Sequence, residues 1–420
     1  MNAYAVVILA ALLAEFCLAG LADLLTLGAL TPELPVEFRA VYDTDRYRRS
    51  QEYTRARTRF GILVAALDLA VLLAVWAAGG FRWLDGWVRS CHLGPVPSGL
   101  LFIATLVLTR AILRLPARWW STFVIEARFG FNRTTPATFA ADLVKGLALA
   151  VVLGVPLLAA ILWSFERAGT EAWLWCWLVA TVFALGVQYV APTWIMPLWN
   201  RFAPLADGPL RQAILAYARA VAFPVNGIFV IDGSRRSSKA NAFFTGFGRH
   251  KRIALFDTLV ETLDPQALVA VLAHEIGHWK HRHVLVGTLV SIAQMGVVFF
   301  ALSLVLERHG LFAAFAVETP SVHAGLVFAA LLFTPLDLVL SVVGHALSRR
   351  QEFAADTFAA RTTGSGEPLA RGLMRLSADS LANLTPHPLS VVLHYSHPPV
   401  LARIRALRAA GAPPACRRDG

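Results

Sequence analysis

The stretch VLAHEIGHWKHRH, residues 271–283, contains four histidines and one glutamate. His274 and His278 are four positions apart, so on a helix they share one face and both imidazoles can bind one metal ion. Glu275 follows the first histidine, where its carboxylate can take a proton from a water whose pKa zinc lowers toward about 7. The pattern predicts a zinc hydrolase. A histidine-rich helix resting on a membrane surface is the alternative.

A catalytic zinc site normally has three protein ligands and one open position, so a third ligand is needed. The best candidate is Glu352, in SRRQEFAADTFA. Asp356 lies one helical turn later and could accept the second N–H of a ligating histidine, or donate a proton during turnover. The alternative is an ordinary pair of surface acids beside Arg349 and Arg350.

The stretch HYSHPPVLARIRAL, residues 394–407, predicts a rigid His-Pro-Pro turn before an amphipathic helix. His397 could polarise the scissile carbonyl or stabilise the oxyanion that develops from it. On these grounds a packed or capping histidine is an equal alternative. His281 and His283 are interpreted as solvated side chains or headgroup contacts.

The composition indicates that a membrane positions these residues. Of the 420 residues, 57% are hydrophobic and 15% are charged, against about 25% charged in soluble domains. Seven apolar segments are long enough to cross a bilayer. They lie near 4–27, 60–81, 97–113, 141–163, 173–198, 284–306 and 324–346.

The charges follow the same organisation. The net charge of +11 is concentrated in the odd-numbered loops, so we interpret it as a topology signal and as contacts with membrane lipids, not as a nucleic-acid interface. The positive-inside rule places these loops and the C-terminal tail in the cytoplasm. Five ionisable residues inside the spans predict pairing or a polar interior: Glu15, Asp68, Arg110, Lys145 and Asp337.

The loop 199–283 is the largest polar region. NGIFVIDGS and KRIALFDTLV predict short strands, and Asp264-Pro265 predicts a helix start just before the histidines. We therefore divide the chain into a membrane region with five helices (1–198), a catalytic loop domain (199–283), helices six and seven (284–346) and a C-terminal part of the catalytic domain (347–420).

Several blocks in one order resemble the CAAX prenyl protease 1 family over roughly residues 30–408. They are YDTDRYRRSQEY, IEARFGFNRTTPATFAADLVKG, MPLWNRFAPLADGPL, GSRRSSKANAFFTGFGRHKRIALFDTLV, HEIGH, SRRQEFAAD and HYSHPPVLARIRAL.

The resemblance implies a mainly α, polytopic membrane protein in which seven transmembrane helices enclose a chamber. A gluzincin-type zinc domain with a small β-sheet would lie on the cytoplasmic side. One Zn²⁺ per chain would be bound by His274, His278 and Glu352.

The resemblance also assigns roles around the metal. Glu275 is the implied catalytic base, Asp356 matches the aspartate of the family's E-x-x-x-D pattern, and His397 matches a histidine near the scissile bond. Asn241, with Ala242 beside it, matches the stretch along which a substrate peptide lies as an added strand. The implied substrate is a prenylated C-terminal peptide that loses its last three residues.

Some features depart from the family pattern. Lys239 and Ala240 stand where histidine and serine are common, and Phe243 stands where tyrosine is common. The composition suggests a bacterial inner membrane protein, and many bacteria lack protein prenylation. The alternatives are therefore a quality-control zinc protease that does not require a prenyl group, and a zinc-binding membrane scaffold without activity.

Overall fold

The computed structural model describes residues 2–239, 242–245 and 251–411. The helices are α1 (Ala3–Gly28), α2 (Thr44–Ala77), α3 (Gly80–Ser90), α4 (Pro95–Trp120), α5 (Pro136–Leu149), α6 (Val155–Arg167), α7 (Ala172–Val190), α8 (Pro209–Ala220), α9 (Asp257–Thr262), α10 (Pro265–Lys280), α11 (His283–Val305), α12 (His309–Ala313), α13 (Val322–Leu332), α14 (Thr334–Thr363), α15 (Glu367–Asp379), α16 (Pro388–His394) and α17 (Val400–Gly411). The strands are β1 (Phe202–Pro204), β2 (Val225–Ile231), β3 (Ala242–Thr245) and β4 (Lys251–Phe256).

Short turns of tighter or wider helix extend or connect these elements. The π-helical turns are Ser121–Glu126, Ala150–Gly154 and Ala191–Ile195, and the 3₁₀ turns are Val36–Phe38, Gly169–Glu171, Met196–Leu198 and Gly233–Arg235.

The predicted membrane spans are confirmed as six long apolar helical runs and one bent pair in the described chain. The runs are Ala3–Gly28, Thr44–Ala77, Pro95–Glu126, Pro136–Arg167, Gly169–Leu198 and His283–Val305. The pair joins α13 to α14 with a bend of 58°. The sequence predicts a single apolar segment near 324–346 and not a bend within it. Pro335 accounts for the bend, because it lacks an N–H and its ring clashes with the carbonyl of Leu331.

The spans do not form a solid bundle. In the most apolar 18-residue window of α2 no residue is buried, and in the other runs the buried share is 22% or less. Most of the surface of these windows is therefore apolar and available to lipid or to space between the helices, and the chamber stays a prediction.

Two of the five ionisable groups predicted inside the spans have polar partners. Asp68 on α2 forms an ion pair with Arg114 on α4. Lys145 Nζ donates a 2.8 Å hydrogen bond to the carbonyl oxygen of Leu198, at the end of the fifth run. Pairing of this kind lowers the cost of placing charge at membrane depth.

The four strands form one sheet in the order β1-β2-β4-β3. β2 and β4 are parallel, and both outer strands are antiparallel to their neighbours. The predicted strands in NGIFVIDGS and KRIALFDTLV correspond to β2 and β4. One face of the sheet packs on α8, α9 and α10 through a core that contains Ile228, Ile253 and Leu255. β3 lies at an edge of the sheet.

Helices α10 and α14 approach closely because Gly277 has no side chain. A Cβ atom at Gly277 would lie 3.0 Å from Ala355 Cα and 3.1 Å from its carbonyl oxygen. Ala355 is fully buried and lies between Glu352 and Asp356. This contact therefore sets the distance between the histidines of α10 and the acids of α14.

Side-chain anchors attach the loop before β3 to the membrane helices. Arg236 forms a bidentate ion pair with Asp142 at 2.8 and 3.0 Å. Lys239 Nζ donates to Tyr53 Oη at 2.7 Å and lies 3.0 Å from Glu126 Oε2. The lysine that departs from the family pattern therefore connects this loop to α2 and to the end of the third span.

A matched pair of glycine substitutions tests the helix contact. Alanine for glycine in a helix normally adds about 0.5–1 kcal/mol of stability. At Gly372 on α15 a new Cβ would meet Ala267 and Val271 at 3.5 Å, an ordinary contact, so Gly372→Ala should raise the melting temperature. Gly277→Ala should lower it, because overpacking against backbone costs about 1–3 kcal/mol. Thermal unfolding of the zinc-loaded protein measures both. Equal shifts for the two variants would contradict this account of the contact.

Candidate metal centre and active site

The histidine helix begins as its sequence predicts. The Asp264 side chain accepts a 2.9 Å hydrogen bond from the Ala267 N–H, and Pro265 occupies the first turn. Capping and the fixed φ of proline favour a helix start here. Two and a half turns later His274 and His278 project on one face, with their Nε2 atoms 3.2 Å apart.

Glu352 on α14 meets both histidines. Its Oε2 lies 3.5 Å from His274 Nε2, and its Oε1 lies 3.2 Å from His278 Nε2. Donor atoms around a tetrahedral zinc, each at about 2.0–2.1 Å, are roughly 3.3–3.4 Å from one another. The three side chains therefore already have the spacing of three corners of a zinc tetrahedron.

The polar surroundings of Glu352 also fit a metal. The residue is 3% exposed, and its Oε2 makes no hydrogen bond of normal geometry to a described residue. Burial alone would favour the neutral carboxyl. The hydrogen bond from His278 and the positive charge of Arg403 outweigh burial and hold the pKa of Glu352 below its usual value. It is thus an ionised, incompletely bonded carboxylate in the interior.

In both His274 and His278, the Nδ1 atom, which faces away from the proposed metal position, has a polar partner. His274 Nδ1 lies 2.8 Å from Asp356 Oδ1, as in the carboxylate–histidine arrangement that fixes the tautomer of metal ligands. His278 Nδ1 lies 3.0 Å from His283 Nδ1. If both ligand histidines carry their proton on Nδ1, each Nε2 presents a lone pair to the same point.

His283 was interpreted from the sequence as solvated or as a headgroup contact, and this was wrong. The αL conformation of Arg282, with φ of 57°, turns the chain between α10 and α11 and returns the imidazole of His283 onto His278. The spacing of the histidines along the chain does not predict a partner that is reached across such a turn.

Sequence reasoning also missed Arg403 on α17. Its guanidinium makes two hydrogen bonds to Asp356, at 2.9 and 2.7 Å, and its Nη1 lies 3.1 Å from Glu352 Oε2. It is 8% exposed. Burial opposes ionisation of Asp356, but the hydrogen bonds from His274 and Arg403 hold its pKa below the usual range. The sequence indicates Arg403 only as an arginine six positions after His397. An arginine on an amphipathic helix is too common to identify a site residue.

Glu275 differs from the other acids of the site. It is half-buried and makes no salt bridge or hydrogen bond to another described residue. Burial raises the pKa of its carboxyl above the usual value, although the nearby histidines oppose this shift. A carboxylate without a protein partner and with a raised pKa is suited to exchange protons with water.

His397 lies at the open side of the site. Its Nε2 is 3.4 Å from Glu352 Oε1, and its side chain is 63% exposed. Its Nδ1 lies 2.9 Å from Ser396 Oγ. The predicted turn is present, because α17 starts at Val400 directly after Pro399. The imidazole can therefore reach a group that enters from solvent.

The predicted substrate stretch is only partly covered. Asn241 lies outside the described residues. Ala242 begins β3, and its backbone pairs with Leu255 of β4. The structure therefore brings together the predicted residues of the metal centre and places Ala242 in the edge strand β3. These residues are His274, Glu275, His278, Glu352, Asp356 and His397.

Comparison with known proteins gives two family matches that together span most of the chain. Residues 25–201 match the family described as CAAX prenyl protease N-terminal, five membrane helices. Residues 204–410 match peptidase family M48.

Individual relatives agree with the family matches. The chain is 34% identical over 395 residues to CAAX prenyl protease 1 homolog of Arabidopsis thaliana, covering 92% of this chain and 93% of the relative. It is 33% identical to CAAX prenyl protease 1 of Saccharomyces cerevisiae, covering 89% and 88%. The crystal structure of S. mikatae Ste24p superposes with a TM-score of 0.92 at 30% identity, covering 97% of this chain and 99% of that one.

Isosteric substitutions test the partner of His278. The Oδ1 of asparagine can occupy the place of His283 Nδ1, whereas the Oε1 of glutamine corresponds to Nε2. We expect His283→Gln to weaken zinc binding by about 10–100-fold, as loss of such partners typically does, and His283→Asn to remain near wild type. Chelator competition measures both affinities. If the two variants lose affinity equally, the Nδ1 contact does not support the metal site.

Proposed function

The chain belongs to the CAAX prenyl protease 1 family of M48 peptidases, and on that basis we propose which of its residues perform the reaction. The family matches and relatives make it a membrane metalloprotease of the zinc endopeptidase class. The observation that carries the proposal is the tetrahedral spacing of His274, His278 and Glu352. We assign these three as the ligands of one Zn²⁺ per chain.

Zinc, when bound, polarises the scissile carbonyl and makes water more acidic. Glu275 Oε accepts the proton of the attacking water and delivers it to the nitrogen of the leaving amine. The position of Glu275 supports both transfers, because it lies beside His274 and its carboxylate makes no hydrogen bond to another described residue, so it can bond to water. His397 donates a hydrogen bond to the oxygen of the tetrahedral intermediate, and its exposure toward solvent is compatible with this role.

Asp356 and Arg403 act through other residues. The Asp356 oxygens are occupied by His274 and Arg403 and it is 2% exposed. This supports a positioning role rather than the alternative of a proton donor. Arg403 favours the ionised form of both buried carboxylates, so that Glu352 can bind a cation and Asp356 can hold His274.

The substrate we propose is a lipidated C-terminal peptide, as the names of the relatives suggest. The contact between His278 and His283 supports this, because His283 is the first residue of a membrane span. The metal centre thus lies beside the membrane end of that span, where a lipid-anchored peptide would be held. The peptide would lie along the edge strand β3, near Asn241 and Ala242.

The location in the membrane is proposed from the distribution of charge. We place the metal centre on the cytoplasmic side of a bacterial inner membrane, because the basic loops lie on that side of the spans. We propose that the boundaries at 198, 283 and 346 separate parts of the chain that differ in function, namely membrane helices and catalytic segments. The helix α14 continues through position 346, so the last membrane segment and the third ligand share one rigid element.

Replacing the base separates chemistry from metal binding. Glu275→Gln should keep one zinc per chain and lower the rate of peptide cleavage by about 10²–10⁴-fold, the usual contribution of a general base. Glu261→Gln, an exposed glutamate on α9, is the matched control and should retain activity. Zinc content and single-turnover cleavage measure the two properties. A Glu275→Gln variant that cleaves at the wild-type rate would contradict the assigned role.

A pair of peptides tests the substrate class. The purified protein is incubated with a prenylated peptide that ends in a CAAX box and with the same peptide lacking the prenyl group, and the products are identified by mass. We expect the prenylated peptide to lose its last three residues faster. Equal cleavage would favour the quality-control protease, and zinc binding without cleavage of either peptide would favour the scaffold.

A further inference from the structure

A cavity of about 510 Å³ lies on the face of the sheet that is opposite to α10. In the parallel pair of β2 and β4, Phe229 aligns with Ala254 and faces this cavity, whereas Ile228 aligns with Ile253 and faces the core with α10. The other side of the cavity is formed by the end of the fifth span, including Pro192 and Pro197. The cavity is therefore separated from the metal centre by the sheet.

Two arginines line this cavity without an acidic partner for their guanidinium groups. Arg201 and Arg252 are exposed, and neither forms a salt bridge with another described residue. The Arg252 guanidinium lies over the Phe229 ring, 5.5 Å from its centroid. Asp232 is close by, but its Oδ1 accepts the backbone N–H of Arg201 at 2.6 Å. Asp142, also in this region, is neutralised by Arg236.

The cavity adjoins the end of a candidate membrane span. The fifth span runs through Gly169–Leu198, and Arg201 follows it by three positions. Near its end Tyr189 is 67% exposed, Trp194 is 77% exposed and Leu198 is 47% exposed. Aromatic side chains of this kind are typical of the interface between acyl chains and headgroups.

We infer that this cavity binds the phosphate of an anionic phospholipid. Two guanidinium groups can make bidentate hydrogen bonds to phosphate oxygens, and the volume is in the range of small-ligand sites. The acyl chains would leave the cavity along the exposed surface of Trp194 and Leu198. A bound lipid would then join the sheet to the membrane on the face opposite to the metal centre.

Lipid binding by the purified, zinc-loaded full chain tests the inference. Native mass spectrometry counts bound phosphatidylglycerol and phosphatidylcholine in detergent. The wild type should retain one phosphatidylglycerol in preference to phosphatidylcholine. R201Q/R252Q should bind it roughly 30-fold more weakly, the effect expected for two arginine–headgroup contacts. R201K/R252K should retain binding, because lysine also binds phosphate as a point charge.

The matched control is R361Q/R371Q. It also removes two exposed arginines, on α14 and α15 in the catalytic part of the chain, which form no salt bridge in the described chain, and it should bind phosphatidylglycerol as the wild type does. Equal losses in the two glutamine variants, or no preference for phosphatidylglycerol, would overturn the proposal. Displacement of the lipid by an equal concentration of inorganic phosphate would also overturn it in favour of a soluble anion. If R201Q/R252Q fails to fold, the single variants R201Q and R252Q test the proposal instead. Each should bind phosphatidylglycerol more weakly than the wild type.

Discussion

Burial of like charges is the constraint on which the rest of the structure depends. Glu352 and Asp356 are almost completely removed from solvent, one turn apart on the same helix, with Glu275 beside them. Arg403 supplies one positive charge. The two fully buried carboxylates and one guanidinium leave a net charge of −1, and buried charges persist only when they are paired or bind metal. A cation at the point toward which the imidazoles face compensates this charge.

The fold holds this cluster by close contacts between a few elements. The absence of a side chain at Gly277 brings the backbone of α10 against α14. After the bend at Pro335, α14 runs without interruption from the apolar segment to the third ligand. The loop before β3 is attached to the membrane helices by Arg236 and Lys239. The metal centre and the membrane region are thus connected through rigid helices and ion pairs.

The sequence predicted those parts of the site that depend on local spacing. The i, i+4 histidines, the capped start at Asp264 and the His-Pro-Pro turn are all readable within one element. Glu352 was a candidate because it lies in SRRQEFAADTFA, and the positive-inside rule places the basic loops and the C-terminal tail on one side of the membrane. Arg403 and His283 were missed because each meets its partner through tertiary packing, across 47 and 5 positions, and neither residue type is distinctive at its own position. The bend before Pro335 could have been predicted from the proline itself. It was overlooked because the segment was identified only by the length of its apolar run.

The most direct test of the account is the position of the zinc ion. Diffraction data collected on both sides of the zinc absorption edge locate it without reference to activity. We predict one anomalous peak per chain, at about 2.0–2.1 Å from His274 Nε2 and His278 Nε2 and about 2.0–2.2 Å from a Glu352 oxygen. A peak bound by other side chains, or one that Glu352 does not contact, would contradict the account.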